Sequence, residues 1–332
     1  MPTSLVTGGA GFMGAHLVKE LLAMGHTVVA LDDLSGGFAD QVDCRATFVQ
    51  GSINDYALLE AMFEQHKFDH VYHLAAYAAE GLSHFIRHFN YQNNLIGSIH
   101  LINASVRHKV KCFVFTSSIA VYGALEPPMI ESMHPVPEDP YGVAKLAVEM
   151  DLHAARHMFG LNYVVFRPHN VYGEYQNIGD KYRNVVGIFM NQLMQGRSLS
   201  VFGDGLQQRA FSYIGDIIPT MARCVEVPAA YGEVFNIGAD QPYTVKELAT
   251  EVMKVMGVTG ELNHVEARNE AVFAYSDHTK AERIFGKQPV TPLAEGLRRM
   301  AEWAKRTGAR ESREFGHIEI HEKLPAFWTK LS

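Results

Sequence analysis

The chain is poor in cysteine: Cys44, Cys112 and Cys224 are its only three, an odd number at wide spacings in 332 residues. Neither a disulfide framework nor a cysteine zinc site is built that way, and a reducing compartment suits the composition. Runs of basic residues are absent and the formal charge is −7, which argues against a general nucleic-acid binder. No segment approaches the roughly 18 apolar residues that span a bilayer. The opening stretch MPTSLVTGG lacks the basic region and apolar core of a leader, so a cytoplasmic protein is expected. Histidine is abundant at 17, but none falls in an HExxH motif or a close His–Cys cluster. No metal is expected on that ground, and most histidines read as surface or core-edge residues. There is no internal repeat and no low-complexity linker. What remains, 47% hydrophobic and 20% charged residues with 13 scattered prolines, is an ordinary globular composition, long enough for a core domain with a smaller lobe packed against it.

Strand-like and helix-like segments alternate through the first half. SLVTG is followed by the helical pattern of GFMGAHLVKELLAMG, then TVVALDD, TFVQG, YALLEAMFEQH, HVYHLAA, NNLIGSIHLINASVRH and CFVFTSS. Such alternation implies right-handed crossovers and an α/β fold with a parallel, doubly wound sheet. After YVVFRP the chain becomes richer in loops. The expected division is a dinucleotide-binding domain over residues 1–170, with a returning segment near 211–238, and a smaller α/β lobe with a tail over 171–332.

Between the first strand and its helix, TGGAGFMG places Gly8, Gly11 and Gly14 in a GxxGxxG spacing. Glycines let the backbone turn tightly and approach a pyrophosphate, and the helix N-terminus meets its charge with free N–H groups. A purely structural turn has the same composition. Asp32 and Asp33 close the second strand, where a carboxylate accepts from ribose hydroxyls and repels a 2′-phosphate, which favours NAD over NADP. Ser52 and Ile53 after the third strand are placed to flank an adenine. Leu74, Ala75 and Ala76 after the fourth leave room for a dinucleotide, or simply pack.

In DPYGVAKLAVE, Tyr141 and Lys145 stand at i and i+4 on one helix face. A free tyrosine has a pKa near 10, too high for a base at neutral pH. A nearby ammonium together with an oxidised nicotinamide would favour the phenolate. Thr116, Ser117 and Ser118 follow a strand directly. One of these hydroxyls could relay the proton, although the same residues serve equally to cap the next turn.

Together TGGAGFMG, LDDLSGG, HLAA, YQNNLIGS, TSSIAVYG, YGVAK, FRPHNVYG, VFGDGLQQRAFSYIGD and FNIG resemble, over nearly the whole chain, an extended short-chain dehydrogenase/reductase of the nucleotide-sugar epimerase and dehydratase group. The resemblance implies a Rossmann fold, bound NAD, a homodimer, and catalysis by Tyr141, Lys145 and Ser118. It adds Phe12, Met13, Leu34, Ser35, Asn94, Thr116, Ser117, Pro168 and His169 to the cofactor site. For a nucleotide sugar it implies Asn170, Asn184, Val185, Ser200, Phe202, Arg209 and Arg268, the two arginines as diphosphate ligands.

Family members resembling 4,6-dehydratases carry an Asp–Glu pair after the hydroxyl residue, decarboxylases a glutamate, and some epimerases a cysteine; this chain has Ile119 and Ala120. The pattern nearest to it is therefore that of UDP-glucose 4-epimerase. There Tyr141 would take the C4 hydroxyl proton as NAD takes the hydride, and a transient 4-keto sugar would turn its other face before reduction. Ala78 with Glu80 nearby, the EYQNIGDKYRNVVGIFM loop and the GHIEIHEKLPAFW tail depart from the commonest 4-epimerases. They keep UDP-glucuronate and GDP-, CDP- or dTDP-sugars open as substrates. A reductase releasing NADP(H) is disfavoured by Asp32, and a non-catalytic NAD-binding protein by the intact Ser, Tyr and Lys.

Overall fold

Seven strands make the central sheet: β1 (Thr3–Thr7), β2 (Thr27–Asp32), β3 (Thr47–Gln50), β4 (His70–His73), β5 (Cys112–Thr116), β6 (Tyr163–Pro168) and β7 (Glu233–Ile237). The computed structural model describes residues 1–267, 272–288, 290–312 and 314–329. The strand order is β7-β6-β5-β4-β1-β2-β3, and every neighbouring pair is parallel. Strands covered on both faces need continuous apolar runs, and all residues of β5 and β6 are buried. Because successive side chains point to opposite faces, each strand feeds two cores. Val6, Ala30, Val114 and Phe166 join Leu17 and Leu21 of the first helix, α1 (Phe12–Ala23), on one side. Leu5, Val29, Phe113 and Val165 join Phe63, Leu101 and Leu152 on the other. The chain winds from β1 outward to β3 and then returns to place β4 on the far side of β1. A crevice therefore opens at the carboxyl ends of β1 and β4, where ligands of open α/β sheets bind.

One helix starts earlier than its apolar pattern suggests. The turn expected to begin at Asn93 is already helical from Arg87 to Tyr91, widens into a π-turn over Gln92–Ile96, and continues as α-helix over Gly97–Arg107. The inward face of this stretch is polar, which hides it from hydrophobic periodicity. Asn94 Nδ2 donates to Asn90 Oδ1 at 2.8 Å, and Asn90 Nδ2 donates to the Pro140 carbonyl at 2.8 Å.

Beyond β6 the chain builds three small sheets: Val171–Tyr172 with Ser212–Tyr213, Leu199–Phe202 with Leu262–Val265, and Gln208–Ala210 between Pro242–Thr244 and Phe273–Ala274. The helix Val245–Met256 opens with a reciprocal Thr244–Glu247 capping box and packs against helices Val185–Met194 and Leu293–Thr307. The tail then crosses back to the sheet's carboxyl edge. Phe315, Ile318, Leu324 and Trp328 cluster with Tyr77, Leu82, Phe85 and Ile86, and the Glu319 carboxylate accepts from the N–H groups of His88 (2.7 Å) and Phe89 (2.9 Å). Among the described residues, no helix is long and apolar enough to cross a membrane and no group of three or more His, Cys, Asp or Glu is placed to hold a metal ion. Several histidines lie deeper than their polar sequence surroundings suggest, His73, His169 and His278 among them.

Candidate active site

The glycine turn is built by contacts that admit no side chain. Gly8 has φ 71°, and a Cβ there would meet Ala75 N at 2.8 Å, where the loops after β1 and β4 cross. A Cβ on Gly14 would fall 1.9 Å from the Gly8 carbonyl oxygen. Gly11 caps α1 without a side-chain acceptor, which leaves the first N–H groups of the helix facing the crevice. Gly14→Ala forces backbone to move and is expected to lower stability by about 1–3 kcal/mol and to strip the purified protein of bound dinucleotide. Thermal melting and chromatography of the nucleotide released on denaturation check both effects.

At the end of β2, Asp32 is buried and its carboxylate is held by Ala10 N–H (3.0 Å) and Leu34 N–H (2.8 Å). Burial raises its pKa and these backbone bonds oppose the rise. Thr116 Oγ1 is buried without a hydrogen-bond partner, a polar atom left over for a ligand. A Cβ-free cradle at a helix N-terminus, a fixed acidic residue at the end of β2 and an orphaned hydroxyl at the end of β5 together fit a dinucleotide.

Ser118 opens the turn Ile119–Tyr122 and accepts from Ala120 N–H at 3.1 Å. The helix Pro140–Phe159 starts with proline at its first position and Asp139 as cap, whose Oδ1 accepts from Gly142 N–H at 2.9 Å. This start aims Tyr141 and Lys145 inward, 7% and 2% exposed. Lys145 Nζ donates to the Thr116 carbonyl at 2.8 Å and lies 5.7 Å from the centre of the Tyr141 ring.

The electrostatics differ from the simple picture of a lysine lowering a tyrosine. Burial pushes the Tyr141 phenol up, as do the charges of Asp139 and Glu80, while the Ser118 hydroxyl and the Arg183 cation pull it down. Burial also lowers Lys145 to about 7, against the pull of Glu149. Burial thus works against the charged form of both groups. Between pH 7 and its ordinary 10.5, Lys145 binds a proton more readily in the unfolded chain than in the fold, so stability rises with pH across that window. Lys145→Met should flatten the rise and stabilise cofactor-free protein below pH 7 by a few kcal/mol while impairing turnover; urea denaturation at several pH values measures it.

Behind the pair lies a buried ionic network. Glu149 accepts from Ser117 Oγ (2.5 Å) and from Arg167 Nε (3.0 Å) and a terminal guanidinium nitrogen (2.5 Å), and Arg167 lies 4.7 Å from the centre of the Tyr122 ring. Ser117 is thereby committed to Glu149 through its side chain.

The glycine-loop residues Gly8, Gly11, Phe12, Met13 and Gly14 line a single cleft of about 510 Å³. So do Asp32, Asp33, Ser35, Ile53, Leu74, Ala75, Ala76, Thr116, Ser117, Ser118, Tyr141, Lys145, Pro168 and His169. At its far end stand Asn170, Asn184, Val185, Ser200, Phe202 and Arg209. Three expected residues stand behind the wall. Leu34 supplies its N–H to Asp32, Ser52 accepts from Asn54 N–H at 3.2 Å, and Asn94 Oδ1 accepts from Tyr77 N–H at 2.8 Å. Arg268 lies outside the described residues. Arg209 donates to the carbonyls of Gln208 (2.8 Å) and Val272 (3.1 Å), and Ser200 Oγ accepts from Gln192 Nε2 at 3.0 Å.

Among the lining residues that sequence reasoning misses, Arg183 carries a charge into the cleft. Its guanidinium pairs with Asp180 at 2.6 Å, lies 4.5 Å from the centre of the Tyr77 ring, and would sit 3.3 Å from a Cβ on Gly36. It therefore reaches from the loop before helix Val185–Met194 to the loop after β2. Nothing in GDKYRN signals this, because the contacts are made across the cleft.

A Rossmann sheet whose dinucleotide cleft carries serine, tyrosine and lysine at one end defines a short-chain dehydrogenase/reductase-type enzyme. More narrowly, the chain belongs to the NAD dependent epimerase/dehydratase family, whose model matches residues 4–238, and its cofactor is NAD. It is 34% identical over 308 residues to a UDP-glucose 4-epimerase of Mycolicibacterium smegmatis, covering 90% of this chain and 97% of the relative. The crystal structure of UDP-glucose 4-epimerase from Thermotoga maritima with UDP-glucose superposes with a TM-score of 0.88 at 34% identity, over 92% of this chain and 99% of that one. The Thermus thermophilus UDP-glucose 4-epimerase complex with NAD gives 0.84 at 28% identity, over 91% and 98%.

Proposed function

We propose that the protein inverts the C4 centre of a UDP-linked hexose, in the manner of UDP-glucose and UDP-galactose interconversion. The observation that carries this reading is the wall beside Ser118 and Tyr141. Ile119 and Ala120 both line the cleft, and neither side chain can protonate a leaving hydroxyl or remove a carbon-bound proton. When bound, NAD supplies a hydride acceptor that is regenerated within each turnover. Tyr141 takes the proton from the C4 hydroxyl and later returns it, and Ser118 holds that oxygen. The glycine loop, Asp32 and Thr116 hold the dinucleotide within residues 1–170 and the returning β7, and residues 171–332 anchor the nucleotide sugar. Anchoring has to concentrate on the nucleotide, because the sugar must turn between the two half-reactions.

Arg183 favours a second reading within the same chemistry, a UDP-uronate. Its partly buried cation faces the cleft close enough to Tyr141 to lower the phenol's pKa, and it is a natural partner for a sugar carboxylate. Incubation with UDP-, GDP-, CDP- and dTDP-sugars, UDP-glucuronate included, tests both readings when products are identified without added cofactor. A C4 epimer of UDP-glucose supports the first, one of UDP-glucuronate alone the second, and a 4-keto-6-deoxy product overturns both.

The enzyme works as a cytoplasmic homodimer in this reading. Support for the dimer comes from Ile96, Val143 and Met150, at 41%, 39% and 66% exposure, on the adjoining helices Gly97–Arg107 and Pro140–Phe159 and the turn before the first. Two copies joined there would form a four-helix interface. A monomer in sedimentation would reject it.

A further inference from the structure

Directly after β6, His169 Nδ1 lies 3.0 Å from the Ala210 carbonyl oxygen and its Nε2 lies 3.0 Å from Nε2 of His278. His278 Nδ1 in turn lies 2.6 Å from the Asp240 carboxylate. The two imidazoles are within 19° of coplanar with centroids 5.2 Å apart, so they meet edge to edge, nitrogen to nitrogen. Both histidines are buried, and His169 lines the cleft.

The ends of this chain fix its protons. A carbonyl oxygen and a carboxylate only accept, so each Nδ1 carries a hydrogen. Two bare Nε2 lone pairs at 3.0 Å would repel, so one more hydrogen lies between them. Three hydrogens on two imidazoles make one positive charge. We propose that His169 and His278 share a single proton as a buried imidazole–imidazolium bridge, and that His278 is through it a positioning residue for the Pro168–Asn170 wall of the cleft.

The surroundings suit the bridge. Burial and the neighbouring His278 hold His169 down at about 3, which makes His169 the accepting ring of the pair. Asp240 balances the charge, and its pKa is lowered by His278 first, with His169 and Lys287 contributing. Ser276 Oγ, 3.2 Å from His278 Nε2, adds no charge. A Cβ on Gly238 would lie 2.3 Å from His169 Nε2, so glycine alone leaves room for the contact. The next residue, Asn170, holds φ 41° and shares the Ala210 carbonyl with His169 at 3.3 Å. The bridge thus ties the cleft end of β6 to the segment after β7 and to residues 276–278, whichever sugar is the substrate.

Nitrogen-15 NMR of histidine-labelled protein near pH 7, assigned by comparison with His169→Gln and His278→Gln, reads the protons directly. Three protonated ring nitrogens and one acceptor on these two residues are expected; one protonated nitrogen on each ring overturns the bridge. In kinetics, His278→Ala should lower kcat/KM about tenfold through misplacement of the wall. His278→Lys keeps a charged donor for both acceptors and should recover most of that loss. Equal damage from alanine and lysine, or none from either, refutes the positioning role. The wild-type spectrum decides the protonation even where a variant fails to fold.

Discussion

Tyr141→Phe should leave a folded protein whose turnover is about a thousandfold lower, the scale of a positioned general base. The ring is buried, its backbone N–H donates to Ser83 Oγ at 3.2 Å, and neither feature depends on the phenolic oxygen. The oxygen itself meets Ser118. Loss of one hydroxyl thus removes the proton acceptor without opening a cavity, and the melting temperature should stay within a few degrees of wild type. The pH profile separates this role from a packing role. Because burial keeps the phenol protonated, the wild-type rate should climb with pH as the base ionises, whereas the residual rate of the phenylalanine variant should lose that limb. Wild-type turnover in the variant would remove Tyr141 from the chemistry.

The largest loss of stability is expected at Glu149, which does not line the cleft. Its carboxylate is 7% exposed and Arg167 4%, and truncation to alanine strands a guanidinium in the core. Breaking a buried pair from one side costs about 3–5 kcal/mol, a large share of the stability of an ordinary domain. Glu149→Gln, which keeps acceptor and volume, should cost less, and Glu149→Gln combined with Arg167→Met should recover part of the alanine loss because no charge remains unpaired. Urea titration of the three variants measures the series. The alanine variant should also depress Lys145 further, since Glu149 is the one neighbour that raises it. Wild-type stability in all three variants would mean that the pair contributes nothing to folding.

What the sequence makes legible follows from the range of the interactions. The strands declare themselves because both faces of the sheet are buried, and the glycine turn because the clash of Gly14 with Gly8 is a local fact of backbone geometry. Tyr141 and Lys145 declare themselves because one helix turn brings them together. Arg183 does not: it is placed by Asp180, Tyr77 and Gly36, the last two far away in the chain. The His169–His278–Asp240 chain joins residues that share no motif or period, and each imidazole reads alone as an unremarkable core-edge residue. Asn94 is expected at the cofactor from its motif, whereas its amide serves the Tyr77 backbone behind the cleft wall. The early start at Arg87 was hidden because an inward face of asparagines carries no hydrophobic signal.

The tail that crosses the carboxyl edge of the sheet bears on how the enzyme is made. Synthesis delivers the glycine loop, the β2 acid and the tyrosine helix long before Phe315, Glu319 and Trp328 leave the ribosome. Yet these last residues cover the 77–89 segment and bind the first N–H groups of helix Arg87–Tyr91. A nascent chain can therefore shape its dinucleotide cradle while the opposite rim of the cleft is still bare, and a chain cut before Phe315 would be able to take up cofactor but keep an unfinished mouth.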